Sequence, residues 1–323
     1  MKLWELADLA TPWCVLVVAT LRVAFHIESG YSDIQSLAAA ARADPGALQR
    51  VLRHLIARGI FEEPEPGRFA LNEAAREFLD EGGLLSVDLD SFGGRMAHAW
   101  STLLQAVRTG KPAYHEVFGR SYWEDLDAHP GISAAFDAMM GPAGHGRPDP
   151  GILLDPGHWS SIQTVVDVGG GTGSLLAEVL RAHPGTRGIL VDLPRTVARS
   201  GELLEAAGVS GRVTAVGQSF FDPLPPGGDI YMLKNVLHDW PDAEAAQLLR
   251  RCAEAARPNG RVVILGGVTP GASASPELLM LVLVGGKDRT LADFAALGRA
   301  AGLEIQSSGH TPSGRFIVEC RPS

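Results

Sequence analysis

The stretch Thr164-Val165-Val166-Asp167-Val168-Gly169-Gly170-Gly171-Thr172-Gly173-Ser174-Leu175-Leu176 decides the fold, because a β-branched run ends in alternating glycines and then turns helical. Such a strand delivers the backbone to the carboxyl edge of a parallel sheet. Gly169, Gly171 and Gly173 let the chain bend there and approach a ligand where any Cβ would collide. The stretch therefore reads as a nucleotide-cofactor loop. Its spacing discriminates further: a dinucleotide loop of the form GxGxxG needs a glycine at Ser174, and the chain instead gives D-x-G-x-G-x-G led by Asp167.

From residue 162 onward, strand-like runs alternate with helical ones, which implies a doubly wound α/β sheet. Strands are expected at 165–168, 188–192, 213–216, 230–233 and 262–265, and helices at 175–182, 196–207 and 243–256. Residues 303–306 and 316–320 are expected to pair as a closing hairpin across 309–314. Upstream, residues 1 to about 80 read as short helices followed by a small hairpin. Ser32 and Gln35 stand in capping-box spacing, and Asp44-Pro45 starts the next helix. On that helix Leu48, Val51, Leu52, Leu55 and Ile56 recur on one face. The chain then runs through Glu62-Glu63-Pro64-Glu65-Pro66-Gly67 to Arg68-Phe69-Ala70-Leu71, completing a helix, turn, helix and wing. Between about 90 and 160 the sequence is helical and rich in aromatic residues. Proline and glycine in 141–150 forbid a long helix, so this segment reads as a linker or a lid loop. The expected boundaries are 1–90, 91–160 and 161–323.

With 323 residues, 46% of them hydrophobic, the chain is large enough for a sizeable core and more than one domain. A formal net charge of -9 argues against broad contact with polyphosphates or anionic membranes. No nucleic acid and no membrane are expected as partners, although the winged-helix pattern keeps open a transcription regulator that senses a small molecule. The second helix offers that reading only Arg50, Arg53 and Arg58, beside a wing crowded with glutamates. Cys14, Cys252 and Cys320 lie far apart with no metal-ligand spacing, which fits reduced thiols in a cytoplasm and no metal.

The acid-led glycine pattern is that of S-adenosylmethionine enzymes, in which no pyrophosphate sits at the helix N-terminus. Asp192 ends the second strand, where a carboxylate accepts hydrogen bonds from both ribose hydroxyls, with Leu193 beside it. Ser219-Phe220 ends the third, offering adenine a hydrogen-bonding group and an aromatic face. The fourth leads through Lys234 into Asn235-Val236-Leu237-His238-Asp239-Trp240-Pro241-Asp242, which sets a histidine in the bridge over the cofactor. A phenol, with a pKa near 10, is a poor nucleophile until a base takes its proton, and neutral imidazole does that at pH 7.

The segments VVDVGGGTG, VDLP, SFFDPLP, LKNVLHDWPD and GGKDRT, in this order behind a winged-helix pattern, resemble the plant caffeate-type and bacterial antibiotic-biosynthesis O-methyltransferases. The likeness covers nearly the whole chain, and the closing antiparallel hairpin suits a methyltransferase better than a dehydrogenase. It implies a Rossmann-like class I methyltransferase domain with an N-terminal all-α winged-helix dimerisation domain, a homodimer formed through that domain, and a small aromatic substrate between the domains. It implies S-adenosyl-L-methionine as cofactor and S-adenosyl-L-homocysteine as product. By position, Asp167, Gly169, Gly171, Gly173, Asp192, Leu193, Ser219, Phe220 and Lys234 match cofactor contacts. His238 matches the catalytic base and Asp288 an orienting carboxylate, while Phe136, Met140, Leu279 and Leu283 fall where the family lines its substrate pocket. The chain departs from the pattern at three positions. Gly266 replaces a glutamate flanking the histidine, Asp288 shortens the second flanking glutamate by one methylene, and Ser219 replaces an aspartate facing adenine. The expected activity is methylation of a phenolic hydroxyl of a secondary metabolite. The rival is a member that keeps the cofactor and catalyses hydroxylation, decarboxylation or cyclisation.

Overall fold

A computed structural model describes residues 3–141, 148–272 and 277–323. The expected linker or lid at 141–150 therefore lies largely outside the described residues. The chain divides into two compact units, one formed by Met1–His98 with Gly131–Met139 and the other by Ala99–Pro130 with Met140–Ser323. The aromatic helical stretch is thus shared between the two units.

In the first unit, helices Ala10–Thr20, Val23–Glu28, Ile34–Ala40 and Pro45–Ile56 precede a hairpin of β1 (Glu62–Glu65) and β2 (Arg68–Ala70). Leu48, Leu52 and Leu55 face a core with Val18, Val23, Leu37, Phe61 and Phe69, while Val51 and Ile56 flank it half-buried. The cap of Pro45–Ile56 is Asp44, as expected, accepting from the Ala47 N–H at 2.8 Å. The cap of Ile34–Ala40 is Asp33, one residue beyond the expected Ser32. A carboxylate at Asp33 reaches the Ser36 N–H directly, and the hydroxyl one position earlier does not compete. Arg53 pairs with Glu63 at 2.8 Å, and Arg58, which lies in the turn after the helix rather than on it, pairs with Asp8 at 2.7 Å, so acids answer two of the three arginines.

The second unit is built on a seven-stranded sheet. Its strands are β3 (Thr164–Val168), β4 (Arg187–Asp192), β5 (Val213–Gly217), β6 (Ile230–Lys234), β7 (Arg261–Leu265), β10 (Leu303–His310) and β11 (Phe316–Pro322), in the order β10-β11-β7-β6-β3-β4-β5. A short parallel pair, β8 (Val268–Thr269) and β9 (Arg289–Thr290), lies apart. The five strands from β7 to β5 run parallel, and β11 joins β7 antiparallel, as the expected hairpin requires. Side chains alternate between two packed layers. Val166, Tyr231, Val262 and Val318 face the helices Asp242–Ala255 and Leu291–Ala300, and Val165, Ile230, Val263 and Ile317 face Ser174–Ala182. Helix 196–207 is corrected to two, Pro194–Val197 and Ser200–Ala206, because Pro194 starts the first early and the turn at 198–199 breaks it. The strand order reverses beside β3, opening a crevice at the carboxyl ends of β3 and β6.

Across β7 and β11, Arg261 pairs with Glu319 at 3.2 Å with both side chains buried, and Glu319 also accepts from the Leu154 N–H at 2.7 Å. Removing one partner strands a buried charge. Glu319→Ala is expected to cost about 3 kcal/mol in chemical denaturation. The double variant Arg261→Met, Glu319→Leu should recover most of that loss.

Candidate active site

The glycine loop crosses the carboxyl edge of β3 with Gly169, Gly171 and Gly173 all at positive φ. Asp167 turns back beneath the loop, where a Cβ on Gly170 would overlap its carboxyl group. The Gly171 N–H donates to Asp192 Oδ2 at 2.8 Å and the Leu193 N–H to Oδ1 at 2.7 Å, which pins the acid of β4 against the loop. Phe220 packs over Gly169 together with Val236 and meets Trp240 edge-on at 5.8 Å. Ser219 accepts from the Phe221 N–H at 3.2 Å, so part of its hydroxyl's capacity serves the turn. The loop, Asp192, Phe220 and Lys234 are thus brought to one sheet edge, as the sequence pattern requires.

Asp167 is buried, and its Oδ2 has no hydrogen-bond partner among the described residues. Burial, reinforced by the Asp192 carboxylate, pushes Asp167 up to about 7 against the opposing pull of Lys234 and of a hydrogen bond from the Leu176 backbone. Trp240 Nε1 is a second buried polar atom without a partner among the described residues. Orphaned groups of this kind are rare in folded proteins and call for an explanation.

His238 lies on the short turn Leu237–Asp239 that follows β6. Its Nδ1 stands 3.6 Å from Asp288 Oδ1, within ion-pair range and just beyond hydrogen-bond range. Its Nε2 stands 3.5 Å from Asp239 Oδ1. Burial and Glu277 push Asp239 up to about 7, although His238 pulls the other way. The Glu277 carboxylate closes the group, with one ligand atom each of His238, Glu277 and Asp288 within 4.8 Å of one another. A divalent cation finds suitable donors there, and it would compete with a proton for the imidazole lone pair. Asp239 and Glu277 therefore add carboxyl groups beside the histidine that the sequence reading did not assign. Gly266 itself adopts φ +86°, and a Cβ there would overlap the Asn235 side-chain oxygen.

The turn is held from below by Arg289, the largest fully buried side chain. Its Nη1 donates to the Leu237 carbonyl at 3.0 Å, its Nη2 to the Trp240 carbonyl at 2.8 Å, and its Nε to Asp242 at 3.0 Å. Gly286 passes so close that a Cβ would overlap the His238 carbonyl. The GGKDRT segment thus cradles the histidine turn.

Lys234, His238, Asp288 and Met140 line one cavity of about 850 Å³, together with Asn235, Gly266, Glu277 and Arg315. Leu279 and Leu283 are not in its wall. They belong to the helix Leu278–Leu283, which packs against the helix Leu103–Thr109, with Leu283 buried. Phe136 belongs to the first unit, where it meets Phe92 edge-on at 6.1 Å.

A family model described as an O-methyltransferase domain matches residues 100–304. A 2,7-dihydroxy-5-methyl-1-naphthoate 7-O-methyltransferase of Streptomyces carzinostaticus is 41% identical, with 97% of this chain and 95% of that protein covered. Aclacinomycin 10-hydroxylase RdmB of Streptomyces purpurascens is 35% identical, with 94% of this chain and 84% of that protein covered. The crystal structure of NcsB1, an O-methyltransferase from neocarzinostatin biosynthesis in complex with S-adenosylmethionine and 2-hydroxy-5-methyl naphthoic acid, superposes with a TM-score of 0.92 at 40% identity, covering 100% of this chain and 99% of that one.

Asp167 gives a pH signature. Its folded-state pKa of about 7 lies above the ordinary carboxylate value of 3.8, so the folded state holds a proton that the unfolded state has lost. Its contribution to stability is present at low pH and is lost as pH rises between about 4 and 7. Asp167→Asn should remove that slope, at most about 1.4 kcal/mol per pH unit. Thermal unfolding should show the variant gaining on the wild type from pH 5 to pH 8.

Proposed function

The chain belongs to the O-methyltransferase family, and from that premise we propose that it carries the methyl group of S-adenosylmethionine to a phenolic hydroxyl of an aromatic secondary metabolite, with His238 as general base. The observation that carries this reading is a histidine with a carboxyl group facing each ring nitrogen, on the wall of a cavity that also reaches Lys234. The related naphthoate methyltransferase and the naphthoic acid held by NcsB1 point to a hydroxylated bicyclic acceptor.

The residues at the sheet edge fit the cofactor. Asp192, pinned by the Gly171 and Leu193 N–H groups at the end of β4, stands where a carboxylate accepts from ribose hydroxyls. Phe220 offers a half-buried aromatic face, Gly171 borders open space, and Asp167 Oδ2 is a buried acceptor in want of a donor. Bound there, the cofactor supplies an electrophilic methyl group on a sulfonium.

His238 takes the phenolic proton, and the acceptor oxygen forms a bond to the methyl carbon as the carbon–sulfur bond breaks, its electron pair remaining on sulfur. Asp288 and Asp239 stabilise the imidazolium that results, and the proton then passes to solvent. Arg289 fixes the turn, so the imidazole waits in place rather than being ordered at the moment of reaction. No step requires a metal.

A second reading is a cofactor-retaining enzyme of different chemistry. It is favoured by Gly266 in place of the flanking glutamate and by the likeness to a 10-hydroxylase. In either reading, exposed Leu3, Leu6 and Leu9 near the N-terminus support a homodimer formed through the N-terminal domain. Half-buried Cys14 and buried Cys252 and Cys320, all free thiols, suit a cytoplasmic setting. No helix among the described residues is long and apolar enough to cross a membrane.

Transfer of labelled methyl from S-adenosylmethionine to hydroxynaphthoates tests the proposal. His238→Ala should lower kcat by about 10²- to 10⁴-fold while leaving S-adenosylhomocysteine affinity unchanged. Methyl transfer undiminished in this variant would remove His238 as the base. A wild type that binds the cofactor and methylates none of a broad phenol panel would favour the second reading.

A further inference from the structure

Two cations share the wall of the cavity with His238, namely Lys234 at the end of β6 and Arg315 just before β11. Both are half-buried, and they lie close enough for each to feel the other's charge. Among the described residues neither forms an ion pair with a carboxylate. Arg315 gives one N–H to the Asp149 main-chain carbonyl at 3.3 Å. The acids nearby answer them only in part: Asp149 lies close enough to Arg315 to feel its charge, as Asp167 does with Lys234, but each is also held by other groups. The Asp149 carboxylate accepts from Ser313 and from the Gly151 N–H, and Asp167 is turned beneath the glycine loop.

A half-buried cation that no carboxylate pairs at ion-pair distance is costly, and two facing one cavity repel each other. Burial and Arg315 accordingly hold Lys234 below its usual range, although Asp167 pulls it back up. In a chain with a formal net charge of -9, such a pair runs against the prevailing field. It is relieved by an anion, and the planar guanidinium fork matches the two oxygens of a carboxylate.

We propose that Arg315 and Lys234 together form a carboxylate-binding site in the cavity that carries His238. The inference rests on the reading of that cavity as the methyl-transfer site, and it assigns to Arg315 a positioning role that none of the sequence motifs contains. The carboxylate has two sources, the methionine end of the cofactor and an acidic group on the aromatic acceptor. In both cases the anion anchors one reactant while His238 addresses the hydroxyl.

Calorimetry on the full chain separates the sources. Wild type, Arg315→Ala and Arg315→Lys are titrated with S-adenosylhomocysteine. The cofactor-loaded proteins are then titrated with 2-hydroxy-5-methyl naphthoic acid and with the same naphthol lacking its carboxyl group. Arg315→Ala should weaken at least one carboxylate ligand about tenfold or more, with Arg315→Lys intermediate and the naphthol unaffected. Weakening confined to S-adenosylhomocysteine assigns the site to the cofactor, and weakening confined to the naphthoic acid assigns it to the acceptor. The proposal is overturned if Arg315→Ala leaves S-adenosylhomocysteine unchanged and the naphthoic acid gains nothing from Arg315 over the naphthol. That result, with His238→Ala still abolishing methyl transfer, would leave the methyl-transfer reading standing. Unchanged thermal unfolding of the variants ties any loss to the site.

Discussion

A guanidinium buried beneath a turn is the constraint on which the site depends. Arg289 spends its donors on the carbonyls of Leu237 and Trp240 and on the carboxylate of Asp242. Those carbonyls bracket His238 and Asp239, so hydrogen bonds to the main chain hold the turn that carries the imidazole, while Asp239 and Asp288 face its ring. The hold carries further, because Asp242 opens the helix Asp242–Ala255 and also receives Lys287. One side chain thus joins the end of β6, the start of a helix and the segment that brings Asp288 to the histidine. The Gly267 carbonyl, which accepts from the Arg289 N–H, ties the end of β7 into the same knot. Its stability is bound up with burial, since a charge this deep is tolerable only while every partner stays in place.

The parts of the molecule legible in the sequence are those in which local chemistry dictates the outcome. The buried parallel strands announce themselves as apolar runs, and their observed ends fall within about two residues of the expected ones, the usual uncertainty at element ends. The glycine loop is equally legible, because glycine adopts positive φ and allows close approach at the least cost. Local reading fails where neighbours compete. The break after Val197 and the choice of Asp33 over Ser32 as cap depend on geometry that spacing does not encode. The aromatic stretch was harder still, since Phe136 and Trp123 are assigned to different units only when the helices pack.

Long-range placement explains what the site reading missed. Nothing near Arg315 or Glu277 in the sequence reveals that they share a cavity with a histidine far along the chain, and the GGKDRT motif shows Arg289 beside Asp288 without showing that it is buried beneath the histidine turn. His238, Lys234 and Met140 were expected at the pocket and do line it, whereas Leu279 and Leu283 lie outside its wall. The shortened Asp288 still approaches the imidazole, and the carboxyl group missing at Gly266 has neighbours of its own kind in Asp239 and Glu277. The electrostatic pattern is one of opposed groups gathered in a small volume, acids about the imidazole and cations at Lys234 and Arg315.

The left-handed backbone at Gly266 bears on how such a chain can change. A glutamate placed there alone would meet both an unfavourable φ and the oxygen of Asn235, which itself sits at φ 55°. The two positions are therefore coupled, and a side chain at 266 requires the Asn235 side chain to give way. With glycine at this position, the carboxyl groups beside the imidazole come from elsewhere in the fold, from Asp239, Asp288 and Glu277.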